Sequence, residues 1–255
     1  MRILSVVCNF PPEHGGMGSA AFNEAVALSE FPEIEEIHVL TLPKAADGGG
    51  PHTANGKIKV TGGKYFWVVG HAGKMMDIKK YVEQSDVVHL HYPFFGTHSA
   101  VIRAARKLKK PLIITYHMDV VGTGLTKPFF WVYGKFITPH LLKKANAIVT
   151  ASKDYLAHSF VRKVATQNND KVFQVPFGID TDFFVPALEL VGGPPKRAPI
   201  VGMLAVLDTA HYFKGVTIFL KAVALLKTKP GAENFKAVIA GDGSLRAGYE
   251  ELAGR

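Results

Sequence analysis

The chain has 255 residues, enough for one large domain or for one domain and part of a second. Its 47% hydrophobic and 20% charged residues exclude a disordered chain, and its single cysteine, Cys8, excludes an internal disulfide framework or a cysteine-built metal cage and fits a reducing compartment. The net charge of +9 points to an anionic partner, and it is one-sided: residues 87–153 hold ten Lys or Arg against one acid, Asp119, while the rest balances.

Residues 1–12 open with an apolar stretch whose only basic flank is Arg2. It runs into Phe10, Pro11 and Pro12 rather than a small-residue cleavage site, so it reads as a buried first strand and not as a signal peptide. Gly15, Gly16 and Gly18 follow directly and open a helix over 19–30. Glycines let the backbone approach a ligand closely, and a helix start offers unbonded N–H groups to an anion. A tight strand-to-helix turn has the same appearance. The dinucleotide fingerprint does not fit, because the spacing is Gly15-Gly16-Met17-Gly18 and the second strand, 37–42, ends at Pro43 and Lys44 rather than at an acid.

Gly48, Gly49, Gly50 and Pro51 predict an exposed loop, and residues 57–69, broken by Gly62 and Gly63, predict a hairpin-like pair of strands. Helical stretches at 72–83, 98–109, 128–144 and 152–166 then alternate with β-branched runs at 87–90, 112–115, 147–151 and 172–175. That alternation predicts a parallel sheet covered by helices on both faces. His91 and His117 each stand at the carboxyl end of a strand, where open α/β sheets bind ligands. Each also reads as a satisfied structural histidine. Asp119 is close enough in sequence to orient His117 or to meet an acceptor hydroxyl, and equally reads as a loop surface residue. Residues 127–144 interleave rings with lysines. They read either as a helix packed on the sheet with basic ends, or as one resting on an anionic bilayer with Trp131 and Tyr133 at headgroup level.

Pro186, Gly192, Gly193, Pro194 and Pro195 mark residues 181–197 as a linker between a domain at 1–180 and a second α/β unit at 198–255. That unit is expected to hold strand 200–206, helix 215–227, strand 236–240 and helix 244–252. Two strands leave an open apolar edge, so the expectation is a fragment, a truncated gene product or a subunit needing a partner. Lys214 opens the first of those helices, where a cation is unfavourable unless an anion joins it. No uncharged run reaches the roughly 18 residues of a membrane helix. The eleven histidines read as scattered, so no metal site is expected.

Pro12-Glu13-His14-Gly15-Gly16 resembles the N-terminal glycine loop of the family-four glycosyltransferases. Asp86-Val87-Val88-His89-Leu90-His91, Pro111-Leu112-Ile113-Ile114-Thr115-Tyr116-His117, Ala147-Ile148-Val149-Thr150-Ala151-Ser152 and Val175-Pro176-Phe177-Gly178-Ile179-Asp180 are similar to its later landmarks, in the family's order. The resemblance implies an α/β, GT-B-like fold, with a complete N-terminal Rossmann-like domain and the first half of a second one. It implies retaining transfer of a sugar from a nucleoside diphosphate sugar to an acceptor hydroxyl, in a cleft between two such domains. By the same resemblance His117, with Asp119, stands at the reacting centre and His91 on the acceptor or sugar side. Gly15, Gly16, His211, Lys214, Gly215 and Gly243 serve the donor, Lys214 pairing with its diphosphate.

The family's usual arginine falls at Met203, with His211 as a partial substitute, and its paired glutamates would follow Arg255. The resemblance implies no cofactor and no metal. Its implied partners are a nucleotide-sugar donor, a carbohydrate or lipid-linked acceptor and an anionic membrane surface. It places the protein in the cytoplasm, at most peripheral on the inner membrane face. Two rival readings share the fold: a noncatalytic GT-B remnant serving as a binding or partner subunit, and a nucleotide-sugar epimerase. A nucleic-acid partner is not expected, since the basic band carries no recognised motif.

Overall fold

A helix-covered parallel sheet must bury both faces of its central strands, and Leu4, Val6, Leu90 and Ile114 are almost wholly inaccessible. In the computed structural model, which describes all residues except 14, 44–55, 123, 168, 186–197, 231–233 and 255, the chain divides into two units, Met1–Asp180 and Thr181–Arg255. The first runs β1 (Arg2–Val6), α1 (Gly16–Ser29), β2 (Glu36–Thr41), β3 (Ile58–Gly62), β4 (Tyr65–Val69), β5 (Ala72–Met75), α2 (Ile78–Glu83), β6 (Val87–Tyr92) and α3 (His98–Lys107). It continues with β7 (Leu112–Tyr116), α4 (Lys127–Val132), a π-helical segment (Tyr133–Ile137), α5 (Thr138–Leu142), β8 (Ala147–Thr150), α6 (Lys153–His158), α7 (Arg162–Gln167) and β9 (Val172–Gln174).

Seven of these strands form one sheet in the order β3-β2-β1-β6-β7-β8-β9, parallel throughout. The chain leaves β1 toward one edge and returns at β6 on the other side. The carboxyl ends of β1 and β6 therefore flank the crevice at which an open α/β sheet receives a ligand. The glycine segment follows β1, and His91 lies in the last turn of chain before β6 ends.

Four expectations are corrected. Residues 57–69 do not pair with each other: β3 joins the main sheet beside β2, in register from Ile37 opposite Ile58. The hairpin is β4 with β5, closed at Gly70, whose φ of +56° is readily adopted only without a Cβ. The helix expected over 72–83 is consequently half strand. The helix expected over 152–166 breaks at Ser159, whose hydroxyl donates to Leu156 O and accepts from Val161 N–H, so the side chain takes over backbone hydrogen bonds. Residues 128–144 carry a π-helical insertion at their centre. The glycine loop at 48–51 and most of the expected linker lie outside the described residues, and 181–185 count with the second unit.

The second unit contains β10 (Ile200–Leu204), a 3-10 segment (Thr209–Lys214), α8 (Val216–Lys227), β11 (Lys236–Ala240) and α9 (Arg246–Ala253). The two strands are parallel, and the buried residues Ala205, Leu207 and Val216 are packed with Met203, Leu220, Ile239 and Tyr249. No described helix is long and apolar enough to cross a membrane.

Candidate functional site

The glycine segment is shaped first by its own neighbours. A Cβ on Gly15 would stand 2.0 Å from Asn9 Nδ2 and one on Gly18 would stand 2.8 Å from Asn9 O, whereas one on Gly16 would meet nothing within 4 Å among the described residues. Gly15 and Gly18 thus let α1 start directly against the chain leaving β1, and Gly16 is the one whose missing side chain leaves open space. No side chain caps α1 at Gly15. The first N–H groups of this 14-residue helix have no acceptor within the helix, as at any helix start.

The strand ends bring together a histidine cluster that sequence reading treats as scattered. His89 and His91 alternate onto one face of β6. Glu24, one side of α1, reaches His89 Nδ1 at 2.8 Å, and His89 Nε2 is 2.7 Å from Thr115 Oγ1. His91 Nδ1 lies 3.0 Å from His117 Nε2, just past β7. The His117 backbone N–H donates to Tyr92 O, and its ring stacks on Phe177 with centroids 5.2 Å apart and planes 18° from parallel. Phe177 is fixed in turn because Asn23 Nδ2 donates to Gly178 O. Burial, reinforced by nearby His89, holds the His117 imidazole down at about 4, and burial pushes His91 well below its ordinary value. Both rings are neutral at pH 7.

Asp119 does not reach this cluster. Its carboxylate accepts from the Tyr116 hydroxyl and from Phe160 N–H at 3.2 and 3.3 Å, while its own N–H donates to Tyr155 Oη at 2.7 Å. The acid therefore ties the loop after β7 to the start of α7 and is not bonded to His117. That corrects its expected role as an orienter of the histidine.

In the second unit Gly215 caps α8 in the left-handed region, φ +76°, directly after Lys214. Lys214 Nζ lies 5.7 Å from the Phe213 ring centre. His211 points its Nδ1 at Asp208 Oδ1 at 2.7 Å, and that same oxygen accepts from the His211 backbone N–H. A positive charge on His211 is thus already countered by an acid, which weakens it as a substitute for a missing arginine. Met203 faces the small core with Leu220 and Ile239. Gly243, at φ +152°, carries a hydrogen that a Cβ would replace 2.3 Å from Leu207 O, so its absence of a side chain is an internal packing requirement.

Sequence reading missed Glu24, His89, Thr115 and Phe177. A signal for one of them was present: His89-Leu90-His91 is a histidine pair at strand spacing, which puts both rings on one face.

A parallel sheet with its glycine turn and histidines gathered at the reversal of strand order defines the first Rossmann-like domain of a partial GT-B glycosyltransferase fold. The sequence profile of Glycosyltransferase Family 4 matches residues 15–183. The chain belongs to that family. It is similar, at 30% identity over 154 residues, to the GalNAc-alpha-(1->4)-GalNAc-alpha-(1->3)-diNAcBac-PP-undecaprenol alpha-1,4-N-acetyl-D-galactosaminyltransferase of Campylobacter jejuni, with 60% of this chain and 37% of that protein covered. Among solved structures, Anabaena Alr3699/HepE in complex with UDP superposes with a TM-score of 0.59 at 16% identity, over 98% of this chain and 64% of that one. WaaG, a glycosyltransferase involved in lipopolysaccharide biosynthesis, superposes with a TM-score of 0.54 at 12% identity, over 100% of this chain and 66% of that one. The chain thus spans little over a third of the curated relative and about two thirds of these structural neighbours.

Proposed function

We propose that the chain belongs to a glycosyltransferase that uses a nucleoside diphosphate sugar, transfers a hexose with retention and acts on a carbohydrate or lipid-linked acceptor. The observation that carries the reading is family membership together with the placement of Lys214 and Gly215 directly before the start of α8. In this reading Lys214 and the first N–H groups of α8 hold the leaving diphosphate, where a preorganised cation acts on charge that develops in the transition state. Gly215 keeps the backbone close, and His211 borders the phosphates. Gly15 and Gly16 present the start of α1 to the donor, and neutral His117 meets a sugar hydroxyl with His91 behind it. No cofactor takes part in this chemistry, and the diphosphate is held without a metal. UDP, bound by Alr3699/HepE, is the first nucleotide to try.

Calorimetric titration of the whole chain with UDP, GDP, ADP and their sugars tests this. One diphosphate is expected to bind, and Lys214→Ala to weaken it roughly tenfold to a hundredfold, as loss of a charge-assisted hydrogen bond does. Equal affinity in Lys214→Ala removes the lysine from the site. If none of the nucleotides binds, the chain is a noncatalytic binding or partner subunit, a reading that the apolar Met203 at the expected arginine position favours.

We further propose a peripheral contact with an anionic membrane. Residues 127–144 pack inward through Tyr133, Gly134 and Thr138, but Leu125, Phe129, Trp131 and Phe136 are exposed, Leu125 completely and Phe129 and Phe136 each by 59%. Lys135 Nζ stands 4.6 Å from the Trp131 ring centre, and Lys127 and Lys143 are exposed in the same segment. Rings at headgroup depth with lysines at lipid phosphates suit such a surface. Flotation with neutral and with phosphatidylglycerol-containing vesicles should show binding only to the latter. Lys135→Glu should weaken it by more than the about 1 kcal/mol, roughly fivefold, expected of a single interfacial lysine. Equal recovery with both vesicles ends the membrane reading.

A further inference from the structure

We propose that Glu24, His89 and His91 form a site for a zinc-class divalent cation in the first unit. One carboxylate oxygen and one nitrogen from each ring lie within 4.8 Å of one another. Glu24 is the half-exposed member, so its carboxylate is free to turn toward an ion, while the two rings must close slightly to reach bonds of about 2.1 Å.

Two features separate this group from an ordinary polar cluster. The first is an unsatisfied atom: His91 Nε2 is buried with no hydrogen-bond partner among the described residues, in a residue only 1% exposed. Such an atom is costly to leave bare, and a metal bond satisfies it. The second is support on the far side of each ring. His89 Nε2 already meets Thr115 Oγ1 at 2.7 Å, and His91 Nδ1 already meets His117 Nε2 at 3.0 Å. Metal-bound imidazoles use their second nitrogen in this way, which fixes both tautomer and ring orientation.

The protons balance without a cationic ring. With the ion on Nδ1, His89 keeps its one proton on Nε2 and donates it to Thr115 Oγ1. With the ion on Nε2, His91 donates from Nδ1 to His117 Nε2, and His117 carries its own proton on Nδ1, turned away from the cluster as a donor. Two imidazoles and one carboxylate suit Zn(II), Co(II) or Ni(II) rather than Mg(II) or Ca(II). The single acid leaves one positive charge uncompensated and a coordination position open to a solvent or anionic oxygen. All three ligands belong to the first unit, so the site does not depend on the nucleotide assignment.

The test uses the whole chain, stripped with a chelator and titrated with Co(II) while its visible absorption is recorded, with Zn(II) then added as competitor. The expected result is saturable uptake of one Co(II) per chain, an intense visible band of a low-coordinate site, and displacement by Zn(II). Glu24→Gln, a near-isosteric change at a half-exposed helix position, should weaken uptake at least tenfold. Thr115→Val, which removes only the support behind His89, should weaken it by roughly tenfold or more. His158→Ala, at an exposed histidine beside Asp154, should leave the titration unchanged. Absence of saturable uptake, undiminished uptake in Glu24→Gln, or equal loss in His158→Ala would each overturn the site. A zinc anomalous-scattering peak at these side chains in soaked crystals supplies the readout that no folding defect imitates.

Discussion

Acidification from pH 7.5 to pH 5 should remove several kcal/mol of stability from the first unit. His98 is held down at about 4 by burial, and its two bonds explain why the neutral form suits it: Nδ1 donates to Phe94 O at 2.7 Å and Nε2 accepts from the Tyr133 hydroxyl at 2.6 Å. A second proton would desolvate a charge in the core and set two donors against each other. His117 is also held at about 4, within the Glu24, His89 and His91 cluster. Above pH 6.5 neither folded nor unfolded chain binds these protons, and the stability is complete. As pH falls the unfolded chain takes them up first, and the loss is finished only below the folded value of about 4. Each of the two groups then removes roughly 3 kcal/mol, against a whole-domain stability of about 5–15 kcal/mol, and His91 acts in the same direction.

Trp67 and Trp131 both lie in the first unit, so tryptophan fluorescence during urea unfolding reports that unit alone. The unfolding free energy should decline steadily between pH 6.5 and pH 4. His98→Asn, which keeps a donor for Phe94 O but does not titrate, should flatten that decline by about one proton's worth. A stability that stays level from pH 7.5 to pH 5 would contradict the neutral assignment of these rings.

The second large effect lies in the other unit. Gly243→Ala should destabilise it by roughly 3–5 kcal/mol, from a Cβ driven to within 2.3 Å of Leu207 O and 2.4 Å of Leu207 C on a backbone at φ +152°. Relief requires moving the 207 segment, but Leu207 N–H donates to Asp242 O and Leu207 O accepts from Leu245 N–H. Those bonds fasten the turn before α9 to the chain after β10, beside the buried Leu207. Limited proteolysis should therefore cut the variant within residues 198–255 while leaving a resistant fragment of the first unit. A variant as resistant as the parent chain would show that the turn adjusts freely. Lost nucleotide binding in Gly243→Ala would report packing and not a contact to the ligand, which is why Lys214→Ala is the cleaner probe of the donor.

Alternation of β-branched runs with helical stretches was enough to specify a parallel α/β sheet, because strands buried on both faces need continuous apolar sequence. It also set the family, since short landmarks in order survive in the linear chain. The errors fell where geometry depends on remote partners. Residues 57–69 carry hairpin-like punctuation, yet β3 pairs with β2, which precedes it by some 20 residues, and only the turn at Gly70 closes a hairpin. The glycines of the first loop read equally as room for a ligand or as a tight turn, and the structure shows that Gly15 and Gly18 make room for Asn9.

The sequence by itself determined the class of fold, the positions of His91, His117 and Lys214 at element ends, and the basic character of residues 87–153, because each follows from local pattern or composition. Only the tertiary structure decided that Asp119 serves Tyr116 and Phe160 instead of His117, that the outer face of 127–137 is left uncovered, and that Glu24 meets His89 and His91. Those outcomes rest on which side chains converge from α1, β6 and β7. Convergence is fixed by strand order and by the packing of a helix on a sheet, neither of which any single segment of the chain encodes.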